Sequence, residues 1–185
     1  MFNQIFKYYI KAFLCVLVCV SCTKDVDFNQ FNDLQLTPVF ESSLVYIDEP
    51  ANKFLVNGNE TSYLQDSVNI DFFNDSFVVD HLVKAEFLLE TTNSINRSFI
   101  VEVDMFDDSN QLQHRFSFSS SGSPDHSPLV TEHLEVFEND ALEALKNTTK
   151  LVFTLYILPG EPINENTIGR ITLKSKGSFY LKIER

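Results

Sequence analysis

The sequence predicts an all-β fold, an antiparallel β-sandwich of the immunoglobulin or fibronectin kind with one short helix. From residue 39 onward, short runs alternate apolar and polar side chains, the pattern of strands that are buried on one face. Turn-forming residues separate these runs at intervals of about 8–12 residues, a spacing typical of sandwiches. The chain also contains 18 phenylalanines, enough to fill a layer between two sheets.

The first half of this region predicts five strands. They are residues 39–47, 67–73, 82–91, 99–106 and 112–118. In the third strand, one face is apolar and consists of Val83, Ala85, Phe87 and Leu89. Polar turns at 93–97 and 107–110 separate the last three strands, so we expect two successive hairpins there.

The second half predicts a loop, more strands and the helix. Residues 119–128 have loop composition, and residues 130–136 alternate again. A helix over 140–146 is indicated by Asp140 and Glu143 at capping-box spacing, with Lys146 in the last turn. Residues 151–158 are apolar on both faces, as expected of a central strand, and two closing strands at 168–173 and 179–183 join across residues 175–177.

The N-terminal residues 1–21 have the order of a secretory signal peptide. Lys7 and Lys11 precede the apolar run 12–20, and the small residue Ser21 follows it. That run is too short to span a bilayer, which requires about 20 apolar residues. A buried core helix is the alternative interpretation.

The pair Ser21-Cys22 resembles the lipobox of bacterial lipoproteins, which ends a type II signal peptide. This resemblance implies cleavage before Cys22 and acylation of that cysteine, which would hold the domain at a membrane. Residues 22–37 would then be the lipidated cysteine and a flexible tether, and residues 38–185 the sandwich domain. Of the three cysteines, only Cys22 would remain after cleavage, so one copy could form no disulfide and no thiolate metal site.

The residues that follow Cys22 resemble the export signal of Bacteroidetes lipoproteins. A lysine and two acidic residues carry this likeness: Lys24, Asp25 and Asp27. The whole chain resembles flavobacterial lipoproteins, with a Ser-Cys-Thr-Lys-Asp start, an Asn/Phe-rich linker and a sandwich-like remainder. The resemblance implies an outer-membrane lipoprotein on the cell surface, with the periplasmic face as the alternative address.

Charge and motifs argue against several classes of function. The formal net charge of −12 argues against a nucleic-acid partner. The chain has no Gly-x-Ser-x-Gly nucleophile elbow, and none of its five glycines has the spacing of a phosphate-binding loop. We therefore expect no enzymatic activity and no cofactor, although carboxylate pairs for glycoside hydrolysis remain open because their distances cannot be read from sequence.

Two groups of side chains contain the residue types that bind metal ions. The first is an acidic cluster near one predicted hairpin tip, which calcium could use, although Asp and Asn are also ordinary turn residues: Asp104, Asp107, Asp108 and Asn110. The second group is the four histidines, which have no metal-binding spacing: His81, His114, His126 and His133. Two histidines on different strands could still meet in space, and His133 shares a strand face with Glu135. We expect no metal site from either group.

The leading hypothesis is a non-enzymatic envelope lipoprotein that binds a protein or glycan partner or has a structural role. The alternatives are a surface glycan-binding protein and an envelope hydrolase. The chain lacks tryptophan, so an aromatic surface for sugars would depend on phenylalanine and four tyrosines: Tyr46, Tyr63, Tyr156 and Tyr180.

Overall fold

The computed structural model describes residues 35–184. The predicted signal peptide, the acylation of Cys22 and the export signal at Lys24, Asp25 and Asp27 all lie outside these residues. Within the described range, strands dominate and the two α-helices are short.

Two four-stranded antiparallel sheets form the sandwich. In spatial order, the first sheet contains β2 (Val39–Pro50), β11 (Arg170–Leu181), β6 (Leu82–Asn93) and β9 (Leu129–Phe137). The second sheet contains β5 (Tyr63–Asn69), β10 (Lys150–Ile157), β7 (Phe99–Phe106) and β8 (Leu112–Ser120). The shorter elements are β1 (Gln35–Leu36), a 3₁₀ helix (Ala51–Phe54), β3 (Leu55–Val56), β4 (Asn59–Glu60), α1 (Ser76–His81), α2 (Asn139–Lys146) and β12 (Ile183–Glu184). The predicted antiparallel β-sandwich is therefore confirmed.

The strands pair as a nested series around the β7–β8 hairpin. Strand β6 pairs with β9, β5 with β10, and β2 with β11, so each pair encloses the previous one along the chain. Two four-stranded sheets in this order are the jelly-roll arrangement, rather than the immunoglobulin or fibronectin connectivity expected from the sequence. The first predicted hairpin is also wrong, because β6 and β7 belong to different sheets and residues 94–98 cross between them.

Phenylalanines fill the space between the sheets, as predicted. Six of them are fully buried: Phe54, Phe73, Phe87, Phe99, Phe137 and Phe179. The ring of Phe87 lies 4.7 Å from that of Phe137, measured between centroids, which joins strands β6 and β9. Each such ring contributes about 1.5–3 kcal/mol when it is fully buried. The inter-sheet aromatic layer is therefore the core of the domain.

Strand β10 occupies the central position that its sequence predicted. It lies between β5 and β7, with both of its edges hydrogen-bonded. Val152 and Thr154, which point away from the core, are buried together with Phe153 and Leu155 on the core face. An apolar pattern on both faces thus identified the strand that lies between two others in its sheet.

The two predicted closing strands are one continuous strand, β11. Gly177, interpreted as a turn residue, pairs in register with Phe87 of β6 and with Ser42 of β2. A Cβ at this position would lie 2.7 Å from the ring of Phe179, so close packing of that ring requires glycine there. The local irregularity is instead a register shift against β2 between Lys174 and Lys176.

Helix α1 and the first residues of two strands also differ from the sequence prediction. Strand β5 begins at Tyr63 rather than at residue 67 and ends at Asn69. Helix α1 was not predicted; the Asp75 carboxylate caps it by accepting the Phe77 N–H at 2.9 Å. Val83 is exposed because a register irregularity at the start of β6 places Leu82 in the core instead.

The second helix lies where the sequence predicted it, but its N-cap residue is not the predicted one. Helix α2 starts at Asn139 with Glu138 as N-cap, and no side chain forms a capping hydrogen bond. Asp140 therefore lies in the first turn rather than at the cap. Its negative charge is still stabilising there, because the N-terminal end of the helix dipole is positive. Lys146 lies in the last turn, as expected, and pairs with Glu143 at 3.0 Å.

Arg97 joins the connections at one end of the sandwich. It lies in the β6–β7 crossing and is only 6% exposed. Its guanidinium donates to the carbonyl oxygens of Leu158 (3.0 Å) and Glu161 in the β10–β11 connection. It also forms a bidentate ion pair with Glu60 of β4, in which Nη2 lies 3.0 Å from Oε1 and Nη1 lies 3.3 Å from Oε2. One cation therefore fixes three crossings that are distant in sequence.

The same end is packed tightly against the Arg97 backbone. A Cβ at Gly122, in the β8–β9 connection, would lie 2.8 Å from both N and C of Arg97. Asn93 donates to the carbonyl oxygens of Arg97 and Ser121, each at 2.8 Å, and accepts the Ile95 N–H. The fourth crossing is thereby held to the other three.

We predict that Arg97→Met destabilises the domain by about 2–4 kcal/mol, because Glu60 loses its ion-pair partner and the carbonyl groups of Leu158 and Glu161 lose a donor. Arg170→Met is the matched control, since Arg170 forms a 2.7 Å ion pair with Asp48 but its side chain is 58% exposed. The control should lower the free energy of unfolding by no more than about 1 kcal/mol. Urea denaturation measures both values, and equal effects would contradict a structural role for the Arg97 network.

Candidate functional site

The residues of the acidic cluster, which calcium could in principle use, do not form one site in the structure. Asp104 points from the outer face of β7 and pairs with Arg115 of β8. Asp107 instead organises the hairpin turn: one carboxylate oxygen accepts the N–H groups of Ser109 and Gln111, at 2.8 and 2.9 Å, and the other accepts Gln113 Nε2. Across residues 35–184, no three His, Cys, Asp or Glu side chains are arranged to hold a metal ion.

Two of the four histidines meet on one carboxylate. His114 Nε2 lies 2.9 Å from Glu135 Oε1, and His133 Nε2 lies 3.1 Å from Glu135 Oε2. The His133 ring stacks on Phe118, with centroids 4.9 Å apart. These side chains lie between the edge strands β8 and β9 and cover the aromatic core there with polar groups. We call His114, His133 and Glu135 the histidine plug.

The outer face of the β5–β10–β7–β8 sheet carries an exposed pair of tyrosines. Tyr63 and Tyr156 are direct cross-strand neighbours, and their ring centroids are 5.9 Å apart. They are 48% and 38% exposed, so both rings present much of their surface to solvent. Ile100 of β7 continues the same row across the sheet. We call this surface the tyrosine face.

Polar side chains adjoin the tyrosines on this face. In the next row, Gln65 Nε2 donates to Thr154 Oγ1 at 3.0 Å, and the following residue across the sheet is Glu102. The Tyr156 hydroxyl donates to Glu102 Oε1 at 3.3 Å. Hydrogen bonds within the face therefore hold these side chains in place before any ligand arrives.

A bidentate ion pair borders the tyrosine face. Arg115 donates through Nε and Nη2 to the two carboxylate oxygens of Asp104, the second contact at 2.9 Å. The hydrogen bond to Asp104 raises the pKa of Arg115, so the guanidinium stays charged. Asp104 is nearly buried while the Arg115 side chain is half exposed. The pair thus offers a fixed array of N–H donors beside the tyrosines.

The other two tyrosines of residues 35–184 lie elsewhere and apart from each other. Tyr46 and Tyr180 are on the other sheet, where the Tyr46 hydroxyl donates to Asp48 and the Tyr180 hydroxyl to Glu86. Sequence reasoning had named all four tyrosines without distinguishing them. It missed Gln65, Thr154, Glu102 and Arg115 as their neighbours, because alternation indicates that a residue points outward but does not reveal which strand lies beside it.

Comparison with known proteins gives only distant structural likenesses. The sequence matches no protein-family model, and no curated protein matches it. A protein described as secreted, from Parabacteroides distasonis, is 17% identical with a TM-score of 0.44, over 62% of this chain and 36% of that one. The VP2 subviral particle of infectious bursal disease virus is 10% identical with a TM-score of 0.41, over 83% and 34% of the two chains. This chain thus spans about a third of the length of these two proteins.

We predict that Glu102→Gln lowers the pKa of Tyr156. Burial raises that pKa above its ordinary value, and the Glu102 carboxylate raises it further through its charge and its hydrogen bond. Removing the charge should leave the effects of burial and of Asp104, which raise the pKa, and of Arg115, which lowers it. Ultraviolet absorbance during alkaline titration measures the change, with Tyr156→Phe to assign the signal and Glu132→Gln, on the other sheet, as control. An unchanged titration curve in Glu102→Gln would show that the two side chains do not interact in solution.

Proposed function

We propose that this chain is a non-enzymatic, lipid-anchored protein of the cell envelope whose jelly-roll domain binds carbohydrate on the tyrosine face. The pairing of two exposed aromatic rings with fixed hydrogen-bonding groups carries this proposal. A sugar ring has apolar C–H faces and a rim of hydroxyls, so it needs flat apolar surfaces next to donors and acceptors. The tyrosine face offers both on one side of a rigid sheet.

Preorganisation supports a binding role. Tyrosine has few rotatable bonds, so it presents a large amphipathic surface at a small cost in side-chain entropy. Glu102, Gln65 and Asp104 each have a partner within the face, at the distances given above. A ligand therefore meets side chains that are already ordered, and less of the interaction energy is lost in ordering them.

The same contacts favour binding over hydrolysis. Both oxygens of Asp104 accept hydrogen bonds from Arg115, so the guanidinium already occupies this carboxylate and leaves neither oxygen open to a substrate. Glycoside hydrolysis needs one carboxyl group that can protonate the leaving oxygen. An envelope hydrolase remains the competing function, and release of reducing ends from the polysaccharides tested below would favour it.

We predict that a polysaccharide included in a native gel slows the migration of the protein, because the tyrosine face binds it. The probes are soluble starch, xylan, mannan and β-glucan. Tyr63→Ala and Tyr156→Ala should each weaken binding about tenfold, because each removes one aromatic surface worth about 1–1.5 kcal/mol. Tyr46→Ala is the control, since it removes a tyrosine that is 63% exposed on the opposite sheet. Equal losses in all three variants, or retardation by none of the probes, would contradict the proposal.

The proposed anchor rests on the residues around Cys22. No helix between residues 35 and 184 has the length and apolar character needed to cross a membrane. In this proposal a lipid on Cys22 supplies the membrane attachment, and Lys24, Asp25 and Asp27 direct the protein to the cell surface. Outer-membrane display would place the tyrosine face where environmental or envelope glycans are accessible.

We predict that Cys22→Ala abolishes incorporation of labelled fatty acid, because the acylated thiol is lost. A combined Lys24→Ala, Asp25→Ala and Asp27→Ala variant should stay acylated but become resistant to a protease added to intact cells. The wild-type protein should be cleaved under the same conditions. Protection of the wild type would place it on the periplasmic face, and fatty-acid labelling of Cys22→Ala would refute the anchor.

A further inference from the structure

A concave site separate from the tyrosine face lies on the side of the sandwich opposite the histidine plug. It is a pocket of about 530 Å³ between the edge strands β2 and β5, with α1 at one end. This volume lies in the range of small-molecule sites. Its walls come from β2, β5, the β5–α1 connection, α1 and β11, and none of the residues of the tyrosine face lines it.

Five phenylalanines line this pocket: Phe40, Phe72, Phe73, Phe77 and Phe179. Phe73 and Phe179 belong to the buried core, but Phe40, Phe72 and Phe77 are 52%, 44% and 48% exposed. The ring of Phe72 lies 5.0 Å from that of Phe179 and 5.8 Å from that of Phe73, edge to face. Several exposed phenylalanines that converge on one cavity indicate a surface that a ligand covers.

The charge of the pocket selects among apolar ligands. Of the described residues that line it, Asp71 is the only charged one, and no lysine or arginine is among them. Asp71 forms no hydrogen bond or ion pair with any residue of the described range, so its carboxylate is open to a ligand. Phenylalanine rings also attract cations to their faces. Both features favour a positive group and disfavour an anionic one.

We propose that this pocket binds a small cationic amphiphile, an alkyl or aryl group that carries an ammonium. The apolar part occupies the space among the phenylalanine rings, and the ammonium lies near Asp71 at the mouth. A fatty acid or another anionic amphiphile finds no cationic partner for its head group among the described lining residues, and Asp71 repels it. This site and its ligand class are independent of carbohydrate binding on the tyrosine face.

Isothermal titration calorimetry tests the proposal with three probes that share an eight-carbon chain: octyltrimethylammonium, octanol and octanoate. The protein is the full chain with Cys22→Ala, so that no acyl group of its own competes. We expect octyltrimethylammonium to bind about tenfold more tightly than octanol, and octanoate to bind most weakly. Equal affinities for the three probes, or no binding of octyltrimethylammonium, would overturn the proposal.

Two variants and a control locate the binding site. Asp71→Asn should remove the preference for the cation but retain binding of octanol, whereas Phe77→Ala should weaken both probes. Asp80→Asn is the control, because Asp80 is an exposed acid on α1 that does not line the pocket. All three side chains are exposed, so the variants should keep the wild-type melting temperature. Unaltered binding in both Asp71→Asn and Phe77→Ala would place the ligand elsewhere and refute the assignment.

Light scattering, which measures the oligomeric state, tests whether a second copy of the chain occupies the pocket instead. If the wild type is a dimer that Phe77→Ala converts to a monomer, a second copy of the chain covers the phenylalanines. That result would replace the proposed ligand with self-association. A monomeric wild type that binds octyltrimethylammonium with the expected preference supports the ligand.

Discussion

The two sheets of this domain each have one apolar face, and both faces must leave water together. The aromatic layer between them, centred on Phe87, Phe137 and Phe179, satisfies this requirement. Because side chains alternate along a strand, a fixed inner face also fixes which residues point outward. The tyrosine face is therefore a consequence of the core: once Leu155 and Val101 point inward, Tyr156 and Glu102 must point outward.

The long sides of the sandwich are closed in different ways. Between β8 and β9, the hydrogen bonds of His114 and His133 to Glu135 cover the aromatic core with polar groups. Between β2 and β5, exposed phenylalanines and Asp71 surround a pocket instead. The tyrosine face and this pocket thus coexist on one scaffold without sharing a side chain.

The end of the sandwich that contains Arg97 shows how one arginine can determine how the strands are connected. Hydrophobic burial alone is non-directional, so it does not determine which loop crosses which end. Arg97 offers a planar set of donors that the carbonyl groups of one crossing and the carboxylate of another occupy together. Every buried side-chain nitrogen and oxygen in residues 35–184 has a hydrogen-bond partner, which is the satisfaction that a unique arrangement of crossings requires.

The sequence by itself determined where most strands lie, which faces are buried, that β10 is central and that phenylalanine fills the core. These are local properties, since a period of two and a two-sided apolar run can be read within ten residues. Only the tertiary structure decided the jelly-roll connectivity, the continuity of β11 and the neighbours of each tyrosine. Gln65 and Thr154, for example, are 89 positions apart in sequence yet hydrogen-bonded. Such pairs depend on which strands become adjacent when both apolar faces are buried at once, and no local pattern encodes that choice.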